Sequence, residues 1–142
     1  MLSPVELKSR YEIYAEQYLL SIEVEAKLVI DIAKTMIYPA AIRYLSQLSA
    51  AGAGMESMGI TLDNSTAKIV AAEANAMMLA VNELIEASEK EGFSSTEEHM
   101  QYFAKDIRGL MDKVRVHADA LECEISDILW PLPKYQEMLF IK

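Results

Sequence analysis

Apolar side chains recur along this chain at steps of three and four residues, the spacing that gathers them on one side of an α-helix. Leu7, Tyr11, Tyr14, Tyr18, Ile22, Ala26, Val29, Ala33, Met36 and Ala40 make the first such stripe, with no glycine before Gly52. Ser3-Pro4-Val5-Glu6 opens it. Ser3 is placed to cap, Pro4 suits a first turn whose N–H has no partner anyway, and Glu6 completes a capping box. Pro39 falls inside the stripe, where it removes one hydrogen bond and collides with the preceding turn. A kink or break is predicted near Tyr38, with helix resuming from Ala40 to Ala51.

Gly52-Ala53-Gly54, Gly59, Asp63, Asn64 and Ser65 mark the longest predicted loop, and Thr61, Asp63, Asn64 and Ser65 are all able to cap the next helix. That second helix is expected from about Thr66 to Glu91, ended by Gly92. Its broad apolar face of Ile69, Val70, Ala74, Met77, Val81 and Leu84 suits contact with two neighbours. Two overlapping capping boxes, Ser94 with Glu97 and Ser95 with Glu98, then start a third helix. Met100, Phe103, Ile107, Leu110, Val114, His117, Leu121, Ile125 and Ile128 line it with alternating steps of three and four. Gly109 within it costs about 1 kcal/mol against Ala and is expected to mark a close helix approach.

Trp130-Pro131-Leu132-Pro133 stops that helix, and Lys134 to Ile141 is at most a short terminal turn. No alternating β-pattern, phosphate-binding glycine loop or internal repeat is present. The expected fold is all-α: one domain, 1–142, built as an antiparallel bundle of three long helices, the first kinked near Pro39, plus a short C-terminal turn. The first helix would run about 70 Å if straight, against about 40 to 50 Å for the others, so part of it must bend or project.

Composition narrows the function classes. A chain of 142 residues that is 52% hydrophobic and 25% charged has the profile of one globular core. Thirteen basic residues against 22 acidic ones leave a formal charge of −9, which repels phosphate backbones and anionic lipid, so neither nucleic acid nor membrane is an expected partner. No run approaches the ~20 apolar residues of a membrane span. Cys123 is the single cysteine, which rules out an internal disulfide, and the opening residues lack a basic-then-apolar leader pattern. The expected setting is cytoplasmic.

No catalytic, cofactor-binding or metal-binding residue emerges from the spacing. His117 lies on the third stripe, yet its neighbours at three and four residues are Ala120 and Leu121, while Asp119, Glu122 and Cys123 are poorly placed to act with it. It reads as a structural histidine. His99 follows Glu97 and Glu98 in a first helical turn, about five turns from His117, and neither histidine has Glu three residues before it. Glu23 with Glu25, and Glu122 with Glu124, are two apart and point to different faces, which is wrong for an acid/base pair. Cys123 lacks an activating neighbour at helical spacing and reads as a packing or partly exposed thiol. The aromatic residues are the better candidates for a binding role. Tyr11, Tyr14 and Tyr18 form a phenolic ladder, Trp130, Tyr135 and Phe140 cluster at the other end of the sequence, and packing that brings the chain ends together would unite them. These six are the possible interface, because Tyr and Trp bury large areas while keeping a polar tip.

Several stretches are also familiar. Glu6-Leu7-Lys8-Ser9-Arg10-Tyr11-Glu12-Ile13, followed by Ile22-Glu23-Val24-Glu25, Ile30-Asp31-Ile32-Ala33-Lys34 and Ile37-Tyr38-Pro39-Ala40-Ala41, resembles the start of the C-terminal region of type III glutamine synthetases. Leu129 to Ile141, with Trp130, Pro131, Pro133, Tyr135 and Glu137 as its signature, is similar to the last residues of that family. The resemblance places the metal-binding carboxylates and the ATP, ammonia and glutamate sites in an upstream catalytic domain, so it carries no active-site residue onto this chain. It implies a non-catalytic accessory domain whose partner is that catalytic domain, in a ring-forming homo-oligomer that condenses glutamate with ammonia using ATP and magnesium. The alternative is a free-standing helical interaction module that self-associates or binds a helical partner through its apolar stripes.

Overall fold

The computed structural model describes residues 3–139, and every regular element among them is helical. Helix α1 (Pro4–Ile32) starts as expected: Ser3 accepts from the Glu6 N–H, and the Glu6 carboxylate accepts from the Ser3 N–H at 2.8 Å. A π turn over Ala33–Ile37 joins it directly to α2 (Tyr38–Ser57), making one rod of 54 residues. The predicted disturbance at Pro39 is therefore no break. It is a wider turn placed just ahead of the proline, in which the Tyr38 N–H reaches back to the Ala33 carbonyl. The π turn relieves the collision between the proline ring and the carbonyl four residues earlier, and the helix continues.

The rod also outruns its predicted end. Gly52 and Gly54 stay helical, and the loop begins only at Met58. Gly59 makes the stop: its φ of 78° is left-handed, its N–H donates to the Glu56 carbonyl, and the Ile60 N–H donates to the Met55 carbonyl. This pair of bonds satisfies the last carbonyls of the helix. Helix α3 (Ser65–Ser88) comes next, with the Asp63 carboxylate accepting from the Ser65 N–H. It ends at Ser88 rather than at Gly92, which serves instead as a left-handed residue (φ 88°) in the connection.

Of the two overlapping capping boxes the second is used. Ser95 accepts from the Glu98 N–H, and the Glu98 carboxylate reaches one residue further back to the Ser94 N–H. Helix α4 (Thr96–Tyr102), a second π turn (Phe103–Ile107) and α5 (Arg108–Glu124) form a rod of 29 residues. The π turn here has no proline beside it, and the stripe gave no sign of it. Gly109 marks no close approach either, since a Cβ added there would meet nothing within 4 Å. Ile125 turns extended and ends the rod, which leaves Ile128, taken from the stripe as a core position, 95% exposed. The short α6 (Tyr135–Leu139) closes the described chain.

Helix α3 and the third rod run in opposite directions, as the pairs Tyr102 with Ala87, Lys113 with Glu83 and His117 with Glu73 show. The first and third rods run the same way: α1 packs on α4, and the π turn after α1 packs on α5. The core lies among the three, with Met77, Leu84, Ile107, Leu121, Val70 and Val81 as its most enclosed large side chains. Each such burial contributes roughly 1.5–3 kcal/mol. Both ends of the first rod extend past this core, for Ser3 to Tyr14 are all exposed and nothing from Ile42 to Ser57 is buried. Among the described residues no helix is long and apolar enough to cross a membrane.

Candidate functional site

The phenolic ladder stands on the N-terminal overhang of α1. Tyr11, Tyr14 and Tyr18 are 52%, 69% and 38% exposed, and Leu7 continues the same line. Their positions follow from the helix period: they flank the stripe that buries Ala15, Ile22 and Ala26, and lie to one side of it, where they stay exposed. Four large, mostly apolar side chains thus share a surface of about three turns, with three hydroxyls at its edge.

Trp130 is elsewhere. It is 8% exposed and belongs to the core beside Ile125 and Leu121, so it offers no free surface. Lys134 donates to the Asp127 carboxylate and the Glu122 carbonyl, which ties the tail to the end of α5. Because the first and third rods are parallel, that end is the opposite one from the phenols, and Trp130 does not meet them. Tyr135 lies in α6, but its side chain, like all of Phe140, lies outside the described residues.

His117 pairs across the α3–α5 contact, with Nδ1 2.8 Å from a Glu73 carboxylate oxygen and both side chains partly covered. Glu73 is 44 residues away, so no local spacing could have named it. His99 joins a corner of rings: Phe93 stacks on it at 4.4 Å, Phe103 meets it edge-on at 4.8 Å, and Lys90 sits 4.4 Å over Tyr102. The Tyr102 hydroxyl donates to the Ala87 carbonyl, and burial raises its pKa, assisted by Asp106. This corner fastens α3 to α4. Cys123 is exposed. Among the described residues no three His, Cys, Asp or Glu side chains converge on a point where a metal could sit.

Two surface features had no counterpart in the sequence reading. A half-open cleft of about 510 Å³ lies in the elbow between α2 and α3, lined mainly by Leu45, Leu48, Gly52, Ile60, Leu62 and Thr66. A second exposed apolar line, Ile13, Leu20, Val24 and Leu28, runs along α1. Its residues could have been found by testing every helical phase instead of the strongest one.

Comparison with known proteins accounts for the whole chain. A family model described as the glutamine synthetase C-terminal domain matches residues 1–56. The chain is 30% identical to a glutamine synthetase of Bacteroides fragilis (strain YCH46) over 149 aligned positions, covering 96% of this chain and 20% of the relative. It is likewise 30% identical to a type-3 glutamine synthetase of Dictyostelium discoideum over 151 positions, covering 100% of this chain and 20% of that protein. The chain therefore spans about a fifth of the length of these relatives. With both ends of the sequence included in the match, the chain belongs to the C-terminal domain of the type III glutamine synthetase family.

Proposed function

We propose that this chain is a non-catalytic accessory domain, an antiparallel three-helix bundle that docks on the catalytic part of a glutamine synthetase and supports its assembly or regulation. The reaction, the ATP-dependent condensation of glutamate with ammonia, and its magnesium belong in this reading to the catalytic part. The homo-oligomer and the cytoplasmic setting belong to the same proposal. The observation that carries it is the phenolic overhang: Leu7, Tyr11, Tyr14 and Tyr18 lie exposed together on a helix that extends beyond its own core. Clustered tyrosines on one side of a helix are the composition of an interface centre, where truncating one side chain costs about 1–3 kcal/mol of binding.

The test uses a full-length synthetase carrying this segment, with Tyr11, Tyr14 and Tyr18 all replaced by alanine. The expected result is a smaller assembly by light scattering, or synthetase activity reduced about tenfold or more. Unchanged mass together with unchanged activity would refute the reading.

A further inference from the structure

The outer side of α1 carries an apolar line of its own. Ile13, Leu20, Val24 and Leu28 are each more than half exposed. At about 100° per residue they fall, with Gln17, within an arc of roughly 80°. The buried residues of this helix, Ala15, Ile22 and Ala26, lie about half a turn away on the opposite side. A helix with two opposed apolar faces is built to lie between two bodies, and the chain's own core is only one of them.

We infer that the other body is a second copy of this chain, its α1 laid antiparallel along the first about a two-fold axis level with Leu20 and Ser21. A two-fold contact requires that residue i meet residue j while j meets i. In this register Ile13 faces the second copy's Leu28, Gln17 faces its Val24, and Leu20 lies by the axis. Charge selects the arrangement. Arg10 stands just before the stripe and Asp31 just after it, both exposed and in no ion pair among the described residues. The antiparallel register sets each guanidinium opposite the other copy's carboxylate, and does so twice. A parallel pair would set Arg10 against Arg10 and Asp31 against Asp31. Since the stripe faces away from the core, the two bodies are carried to opposite sides without overlap. The paired segment is about 32 Å long, a modest contact, so association depends on concentration.

The experiment is sedimentation of the 142-residue chain, under reducing conditions, up to about 1 mM. The expected result is a reversible dimer. Arg10→Glu and Asp31→Arg should each weaken it about tenfold, and the two together should restore affinity to within about threefold of the parent. Leu20→Glu should abolish it, with helix content by circular dichroism unchanged in every variant. A monomer at all concentrations, a dimer indifferent to these substitutions, or a double variant as weak as the single ones would each overturn the inference. None of these outcomes bears on the phenolic face, which lies on another side of α1.

Discussion

Trp130 is buried with its indole N–H facing no acceptor among the described residues. A buried donor left unpaired costs about 1–3 kcal/mol, which offsets part of what the ring contributes by packing. Replacing Trp130 with Phe keeps most of the apolar surface and removes the donor. Its effect in urea unfolding should stay under about 1 kcal/mol, against about 3–5 kcal/mol for Trp130→Ala. A Phe variant that lost more than about 2 kcal/mol would mean that the N–H is satisfied. The caps give a second residue-scale expectation. The Ser94 N–H holds the Glu98 carboxyl below the usual carboxylate range, assisted by the Ser94 side chain. A folded-state pKa below the unfolded one means that the interaction is fully present above the ordinary value and is lost as pH falls through the lowered one. The Ser94 amide resonance should accordingly titrate with a midpoint below about 4.3, and a midpoint at or above that value would contradict the cap. Lys134 behaves in the opposite sense: its bond to Asp127 raises its pKa, so the tie from tail to α5 persists through neutral pH and is lost only as pH rises past the usual lysine range.

The glycines show at the element scale what spacing can and cannot tell. Gly52 and Gly54 look like a loop in sequence, yet both are helical and a Cβ at either would meet nothing within 4 Å. Gly54→Ala should therefore stabilise the chain by about 0.5–1 kcal/mol. Gly59 is equally uncrowded, but its left-handed φ penalises any Cβ, so Gly59→Ala should destabilise by about 1 kcal/mol. Paired thermal melts check both signs, and equal shifts for the two variants would refute the assignment of the stop to Gly59. What was legible from the residues was the local chemistry: the Ser3 and Ser95 caps, the three apolar stripes, and a disturbance near Pro39. What was not legible depended on neighbours far along the chain. The π turn at Phe103–Ile107 has no proline or glycine to announce it, and Glu73 becomes the partner of His117 only once α3 lies against α5.

Over the whole molecule, protection should track the core rather than helix length. The middle of the first rod, Ile22 to Ala41, packs on two other helices, while its outer parts contribute almost no buried side chain. Amide exchange monitored by mass spectrometry should therefore be fast before Tyr14 and after Ser46, and slow across α3 and α5. Uniform protection along the rod would show that the overhangs are covered in solution. The candidate interface was half legible: the phenols are exposed, but the aromatic residue thought to join them is in the core at the opposite end. Parallel first and third rods make that separation unavoidable, and spacing along one helix carries no information about it. Mechanically, the first rod is a beam held by the core at its π turn and free beyond it. The π turn at Ala33–Ile37 sits near its middle, and α2 extends about 28 Å beyond it. Every degree of bend at the turn swings the elbow sideways by about 0.5 Å, so a change in the turn too small to disturb the core is magnified at the cleft where α2 meets α3.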